Sequence, residues 1–141
     1  MFAHVFFIFY FIQENRGENL DKTVPACPTG WEQMGDRCYL WPTTTWMTWP
    51  DAEKFCNEED RHLASVTKLK IHKYIMSKVV TNDHHTNFWI GGTDQEQEGN
   101  WKWTDGSDWN FTKWATFPNE QPNDASGQDC LQIYNYNDAR D

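Results

Sequence analysis

With 141 residues the chain has room for one domain, alone or behind a short leader, which excludes a two-domain enzyme. Hydrophobic residues make up 38% and charged residues 23%, so it is neither a membrane bundle nor a disordered polyelectrolyte; nine Trp, nine Phe and five Tyr favour a compact, loop-rich domain pinned by indoles. A net charge of -9 opposes binding to nucleic acid or an anionic membrane, and it is uneven: residues 83–141 hold eleven Asp/Glu against three Lys/Arg, serving either as a solvated face or as oxygen ligands for a hard cation.

Met1 to Ile12 is almost unbroken apolar sequence. About twelve residues span only about 18 Å as a helix, where a bilayer core needs about 20 residues, so no stable membrane span is expected. Residues 1–26 are read as a leader, a secretory signal peptide and short linker, although no basic residue precedes the apolar run and no small-x-small cleavage site follows it. The domain proper is expected over 27–141. Cys27, Cys38, Cys56 and Cys130 contain no C-x-x-C pair, which disfavours zinc and favours disulfides in an oxidising compartment. Turn residues Pro28-Thr29-Gly30 and Met34-Gly35-Asp36 predict a hairpin stapled by Cys27 and Cys38, whereas Cys56 and Cys130 can pair with each other or each with another partner.

Thr48 as N-cap and Pro50 in the first turn predict a helix from about Trp49 to Glu59, with Ala52, Phe55 and Cys56 at helical spacing. Leu63 to Val66 reads as a short buried strand, and Thr67 as the cap of a second helix with Ile71, Tyr74, Ile75 and Val79 on one face. His72 lies off that face and His84-His85 in a polar turn, so all three are expected in solvent rather than on a metal. Phe88-Trp89-Ile90 predicts a buried strand ending at Gly91-Gly92, and Trp101 and Trp103 alternate about Lys102 as one strand face. Thr104 to Asp129 is nearly all turn formers, acids and aromatics, a length expected only of a functional segment or one held by an external group such as a metal ion. Strand character returns at Cys130 to Ile133. The sole Asn-x-Ser/Thr sequon, Asn110-Phe111-Thr112, lies in the excursion, and Asn110 is the candidate glycosylation site.

Six ordered blocks carry a resemblance: Cys27-Pro28-x-Gly30-Trp31, Cys38-Tyr39, Trp49-x-x-Ala52-x-x-x-Cys56, Leu63-Ala64-Ser65-Val66, Trp89-Ile90-Gly91-Gly92 and Trp101-x-Trp103-x-Asp105-Gly106-Ser107. Together they resemble the C-type lectin-like domain, and within it the small secreted fish lectins. The resemblance implies an α+β fold with two helices flanking small antiparallel sheets and a long loop excursion that holds calcium and sugar. It also implies a domain incomplete at its C-terminal end, lacking the cysteines with which those matching Cys56 and Cys130 pair in the family. Tyr136-Asn137-Asp138 is read as a loop rather than as the family's ligand strand.

In such a family a calcium ion takes six to eight oxygens, and sugar hydroxyls complete its shell. The resemblance places Gln121, Asn123 and Gln128 at the primary sugar and calcium site, with Pro122 cis when calcium binds, and Asp94, Glu98, Asp124 and Asp129 at an auxiliary calcium site. Gln121-Pro122-Asn123 is half the mannose-type triplet and half the galactose-type one, so the sugar is unresolved between them. Amides stand where carboxylates are usual, which predicts weakened calcium affinity. Ser65, Ser77, Ser107 and Ser126 have no sequence-adjacent His to serve as base, and no enzyme is expected. The reading is a secreted carbohydrate-binding domain with calcium as cofactor; the alternatives are a calcium-independent domain of the same fold with a protein partner, and an ice-binding protein.

Overall fold

The strand Asn87–Thr93 (β5) is central to the fold, and its sequence explains why. In the computed structural model, which describes residues 3–4, 26–41, 46–58, 61–81, 87–116, 120–123 and 127–134, its five residues from Phe88 to Gly92 are all buried. A strand covered on both faces needs no alternation with polar residues, and Phe-Trp-Ile-Gly-Gly has none. Side chains still alternate in direction: Phe88 and Ile90 join a core with Tyr39, Val66, Ile71, Ile75, Val79 and Ile133, whereas Trp89 joins a second core with Trp49, Ala52, Cys56 and Leu63.

The elements in chain order are β1 (Ala3–His4), β2 (Glu32–Met34), β3 (Arg37–Tyr39), β4 (Trp46–Met47), α1 (Trp49–Asn57), α2 (Leu69–Thr81), β5, β6 (Lys102–Trp103) and β7 (Cys130–Tyr134). One sheet runs β4-β1-β5-β6, with β7 also on β5, and β2-β3 forms a separate hairpin. β7 is antiparallel to β5 with Phe88 opposite Ile133, while β1 lies parallel to β5 with His4 opposite the same Phe88, so β7 and β1 flank opposite edges of β5. The predicted staple is present: Cys27 and Cys38 are joined by a disulfide, and Gly35 turns the hairpin at a φ of 68°.

Helix α1 begins as expected. Thr48 is extended, its hydroxyl accepts from the Asp51 amide at 3.4 Å, and it donates to Asp51 Oδ2 at 2.6 Å. The helix ends at Asn57, two residues short of the expected end, with the Glu58 amide closing on Lys54 O at 3.1 Å. For α2 the cap falls one residue later than Thr67: the Lys68 carbonyl takes the first helical bond, from His72 N at 3.1 Å. Buried Trp49 and Trp89 fasten the segments around β5 through indole donations to Ile90 O at 2.8 Å and Met47 O at 3.1 Å.

Three further sequence expectations change. Leu63 to Val66 is buried throughout but is not a strand; the Gly91 amide donates to Ala64 O at 2.8 Å, and no ladder follows. The contact is that close because residue 91 lacks a side chain: a Cβ there would sit 2.5 Å from Leu63 O and 2.9 Å from Thr104 Oγ1. β5 also continues through the glycines to Thr93, where β6 and β7 both pair with it. His72 is half-buried rather than exposed, its ring 6.3 Å from that of Phe111, because the excursion folds back over α2. His84-His85, Asp124, Ser126, Tyr136-Asn137-Asp138 and most of the leader lie outside the described residues.

Candidate functional site

The excursion leaves β6 through a buried polar knot. Gly106 turns the chain at a φ of 72°, and Asp105 accepts from the Ser107 amide at 2.9 Å and from Ser65 Oγ at 2.6 Å. Arg37, on the hairpin, donates to Ser65 Oγ at 2.6 Å and to Ser107 Oγ at 3.3 Å, and its guanidinium lies 3.7 Å from Asp105 Oδ2. Side chains of Arg37 and Asp105 are 14% and 2% exposed, so the pair is desolvated and its remaining hydrogen bonds matter. This knot resembles Ser-containing catalytic constellations only in composition: Arg37 and Asp105 hold the two hydroxyls between a cation and an acid, and no His joins it among the described residues.

The far end of the excursion is equally fixed. The Gln121 amide closes on Ala115 O at 3.0 Å, the Gln121–Pro122 bond is cis, and Asp129 O accepts from Asp94 N at 3.2 Å and Thr93 Oγ1 at 2.7 Å. Between the two anchors lies a cavity of about 700 Å³, within the size range of small-molecule sites. Gln121, Asn123 and Gln128, the three predicted primary-site residues, all line it, and so does Glu98. Asn123 and Gln128 are exposed and Gln121 is half-buried.

Sequence reasoning missed the other wall. Trp101, Trp109 and Trp114 are half-buried and line the same cavity. Trp101 and Trp109 stack with centroids 6.1 Å apart, and Trp114 meets Trp101 edge-on at 5.2 Å. The signal was present in the density of indoles between residues 101 and 114, but sequence cannot separate a core indole from one bordering a cavity. All five residues of β7 line the cavity as well.

Asp94, Glu98 and Asp129 each bring a carboxylate oxygen within 4.8 Å of the others. Oxygens on one calcium ion, at 2.3–2.6 Å from it, can be no more than about 5 Å apart, so the three fit a single ion. Asp94 is 4% exposed; its Oδ2 accepts from the Gly99 amide at 2.9 Å, while its Oδ1 is buried with no hydrogen-bond partner among the described residues. A buried carboxylate oxygen left without a donor is costly, and a cation there would supply the missing partner. The turn that sets Glu98 beside Asp94 is ordered by bonds from Gln97 N to Asp94 O and from Asn100 N to Gln97 O, both 2.9 Å. Asp124, the fourth acid of the predicted auxiliary site, lies outside the described residues.

Of the other predicted sites, Asn110 is exposed between half-buried Trp109 and Phe111. Cys56 and Cys130 are free thiols, and Cys56 is fully buried, which pushes its thiol far above the ordinary range, with Glu53 adding to the shift. No helix among the described residues is long and apolar enough to cross a membrane.

Comparison with known proteins bears on this arrangement. The family model for the lectin C-type domain matches residues 45–140. The chain is 37% identical over 112 residues to a type-2 ice-structuring protein of Hemitripterus americanus, and 33% identical over 113 residues to ladderlectin of Oncorhynchus mykiss. Each alignment covers 79% of this chain but only 63% and 57% of the respective relative, so the chain spans less than two thirds of either. Among solved structures, the C-type lectin CEL-I from Cucumaria echinata superposes with a TM-score of 0.70 at 33% identity, covering 78% of this chain and 82% of that one.

Proposed function

Since the chain belongs to the C-type lectin domain family, we propose that it is a secreted carbohydrate-binding domain in which calcium assists sugar recognition with reduced affinity. The family is one of binding domains, and the chain is not an enzyme. The observation carrying the reading is that Gln121, Asn123 and Gln128 line one cavity with Glu98, whose carboxylate also joins Asp94 and Asp129. An amide offers a sugar hydroxyl both a donor and an acceptor, and a carboxylate a strong acceptor, so such a set can read vicinal hydroxyls.

The donor set also sets the strength. The three acids Asp94, Glu98 and Asp129 suit a hard cation, whereas the amide trio brings dipoles but no formal charge, and affinity for calcium follows ligand charge and rigidity. The disulfide Cys27–Cys38 supports residence in an oxidising compartment, and hence secretion. Retention of the protein on immobilised galactose and mannose, with calcium or with a chelator, tests the reading. Passage through both columns in millimolar calcium overturns it.

A second reading has one specific support, the similarity to a type-2 ice-structuring protein. Ice binding calls for a flat face poor in charge, and the acidic half of this chain supplies the opposite. Thermal hysteresis decides between them: its presence without sugar retention favours ice.

A further inference from the structure

The outward face of α2 carries charge that the rest of the chain leaves unanswered. Residues 61–82 hold five Lys/Arg and no Asp/Glu, in a chain whose net charge is -9. Ile71, Ile75 and Val79 face the core at successive turns, which sets Lys70 and Lys73 on the opposite side of the helix; both are exposed, as are Lys68 and Leu69. Lys78 is the contrasting case: it sits in the last turn, where the helix dipole favours a cation, and donates to Glu32 Oε1 at 2.8 Å. Lys68, Lys70 and Lys73 stand at the other end, where the dipole opposes them, with no acid in the first turn and no ion pair among the described residues. Their charges therefore do not serve the helix itself, and they break a local rule without a compensating contact inside the chain.

The excursion is the complement. Residues 104–129 hold five acids and a single cation, Lys113. Asp105 is engaged in the knot with Arg37, but Asp108 and Glu120 are exposed and make no ion pair among the described residues. Where the excursion comes against α2 in its own chain it brings Phe111, its ring 6.3 Å from that of His72, and the Lys113 ammonium, which after burial is the second cause of the lowered His72 pKa; a cation rather than an acid lies beside α2 there. From this mismatch we propose that the face of α2 bearing Lys68, Lys70 and Lys73 docks on the acidic excursion of a second copy of this chain, in a head-to-tail contact. Such a contact is heterologous, so each added copy leaves one face of each sign free and the association is open-ended. Its footprint is small: α2 has 13 residues, about 20 Å of helix, and its outward strip falls well below the roughly 800 Å² per partner of a stable complex. The association is therefore weak and rests on charge. The net charge of each copy opposes it only within the Debye length, about 8 Å at physiological ionic strength, whereas contact pairs act at about 4 Å.

Sedimentation of the full chain over a range of concentrations reads the contact. In about 0.05 M sodium chloride the weight-average mass is expected to rise with concentration, and in about 0.5 M to stay at that of the monomer. Lys73→Glu is expected to weaken the association about tenfold, while Lys54→Glu, the same change of charge at an exposed lysine of α1, alters it by less than about twofold. Asp108→Lys/Glu120→Lys removes the other face. That variant and Lys73→Glu each associate less than the parent alone; mixed, they are expected to regain its strength and to stop at two copies, because each retains one intact face. All the altered residues are exposed, and circular dichroism confirms that each variant is folded. A parent chain that stays monomeric at every concentration in low salt overturns the proposal, including the case in which a sulfated polysaccharide column retains it through Lys73, since the face then takes a foreign polyanion. Association that persists in high salt overturns it as an apolar contact, and equal weakening by Lys54→Glu and Lys73→Glu overturns it as a response to net charge alone. A mixture that regains nothing overturns the excursion as the docking face.

Discussion

Charge count at single residues sets how strongly the proposed site would hold calcium. Gln121 and Asn123 present oxygens without formal charge at the cavity that Glu98 borders. Gln121→Glu and Asn123→Asp each add one carboxylate, and each is expected to tighten calcium by about tenfold, the first turning the site toward mannose-type and the second toward galactose-type sugars. Titration calorimetry checks this, and micromolar calcium binding by the unaltered chain shows that ligand charge is not limiting. His72 carries a second residue-scale prediction. Its pKa is lowered, first by burial and then by the nearby Lys113 ammonium, so the folded state binds its proton less readily than the unfolded state does. The stability associated with neutral His72 is therefore fully present above the unfolded value of 6.5 and is lost as pH falls below it toward the folded pKa. Thermal melts between pH 5 and pH 7.5 should show a smaller acid loss for His72→Gln than for the parent; equal losses place the effect elsewhere.

Among the elements, β5 is the one whose sequence leaves least freedom. Both glycines are demanded by close approach: at Gly91 by the backbone of Leu63, and at Gly92 by the Leu131 side chain of β7. Leu131 can turn aside, but a carbonyl cannot, so Gly91→Ala is expected to cost about 1–3 kcal/mol by overpacking and Gly92→Ala less. Denaturant midpoints of the two variants check the order. The same contact explains why Leu63 to Val66, apolar and short, is not a strand: a segment held to β5 by the single bond at Gly91 is buried without a ladder. Helix α1 behaves differently because its start is local, written in Thr48, Pro50 and Asp51 alone.

At the scale of the whole molecule the exposed excursion bears both the sugar-binding candidates and Asn110. If the leader directs secretion, Asn110 is expected to carry a glycan on the same stretch of chain that supplies Trp109 and Phe111 to the cavity wall. Protein made in a secreting eukaryotic cell should lose mass on glycosidase treatment; an unchanged mass shows the sequon unused, through the burial of its neighbours or through failure of secretion.

Sequence by itself determined the features whose causes lie within a few residues: the Cys27–Cys38 hairpin with its turn at Gly35, the capped start of α1, the amphipathic face of α2, and the buried run of β5. Its ordered blocks also carried the family and the α+β fold. The tertiary structure decided what depends on contacts between distant segments. Asp94 and Asp129 lie 35 positions apart and meet because β5 and β7 pair; Trp101 to Trp114 meets Gln121 to Gln128 because the excursion is tied at both ends; His72 loses solvent because Phe111 folds over it. Periodicity reports which way a side chain points along its own element, and it is silent on what a loop brings opposite.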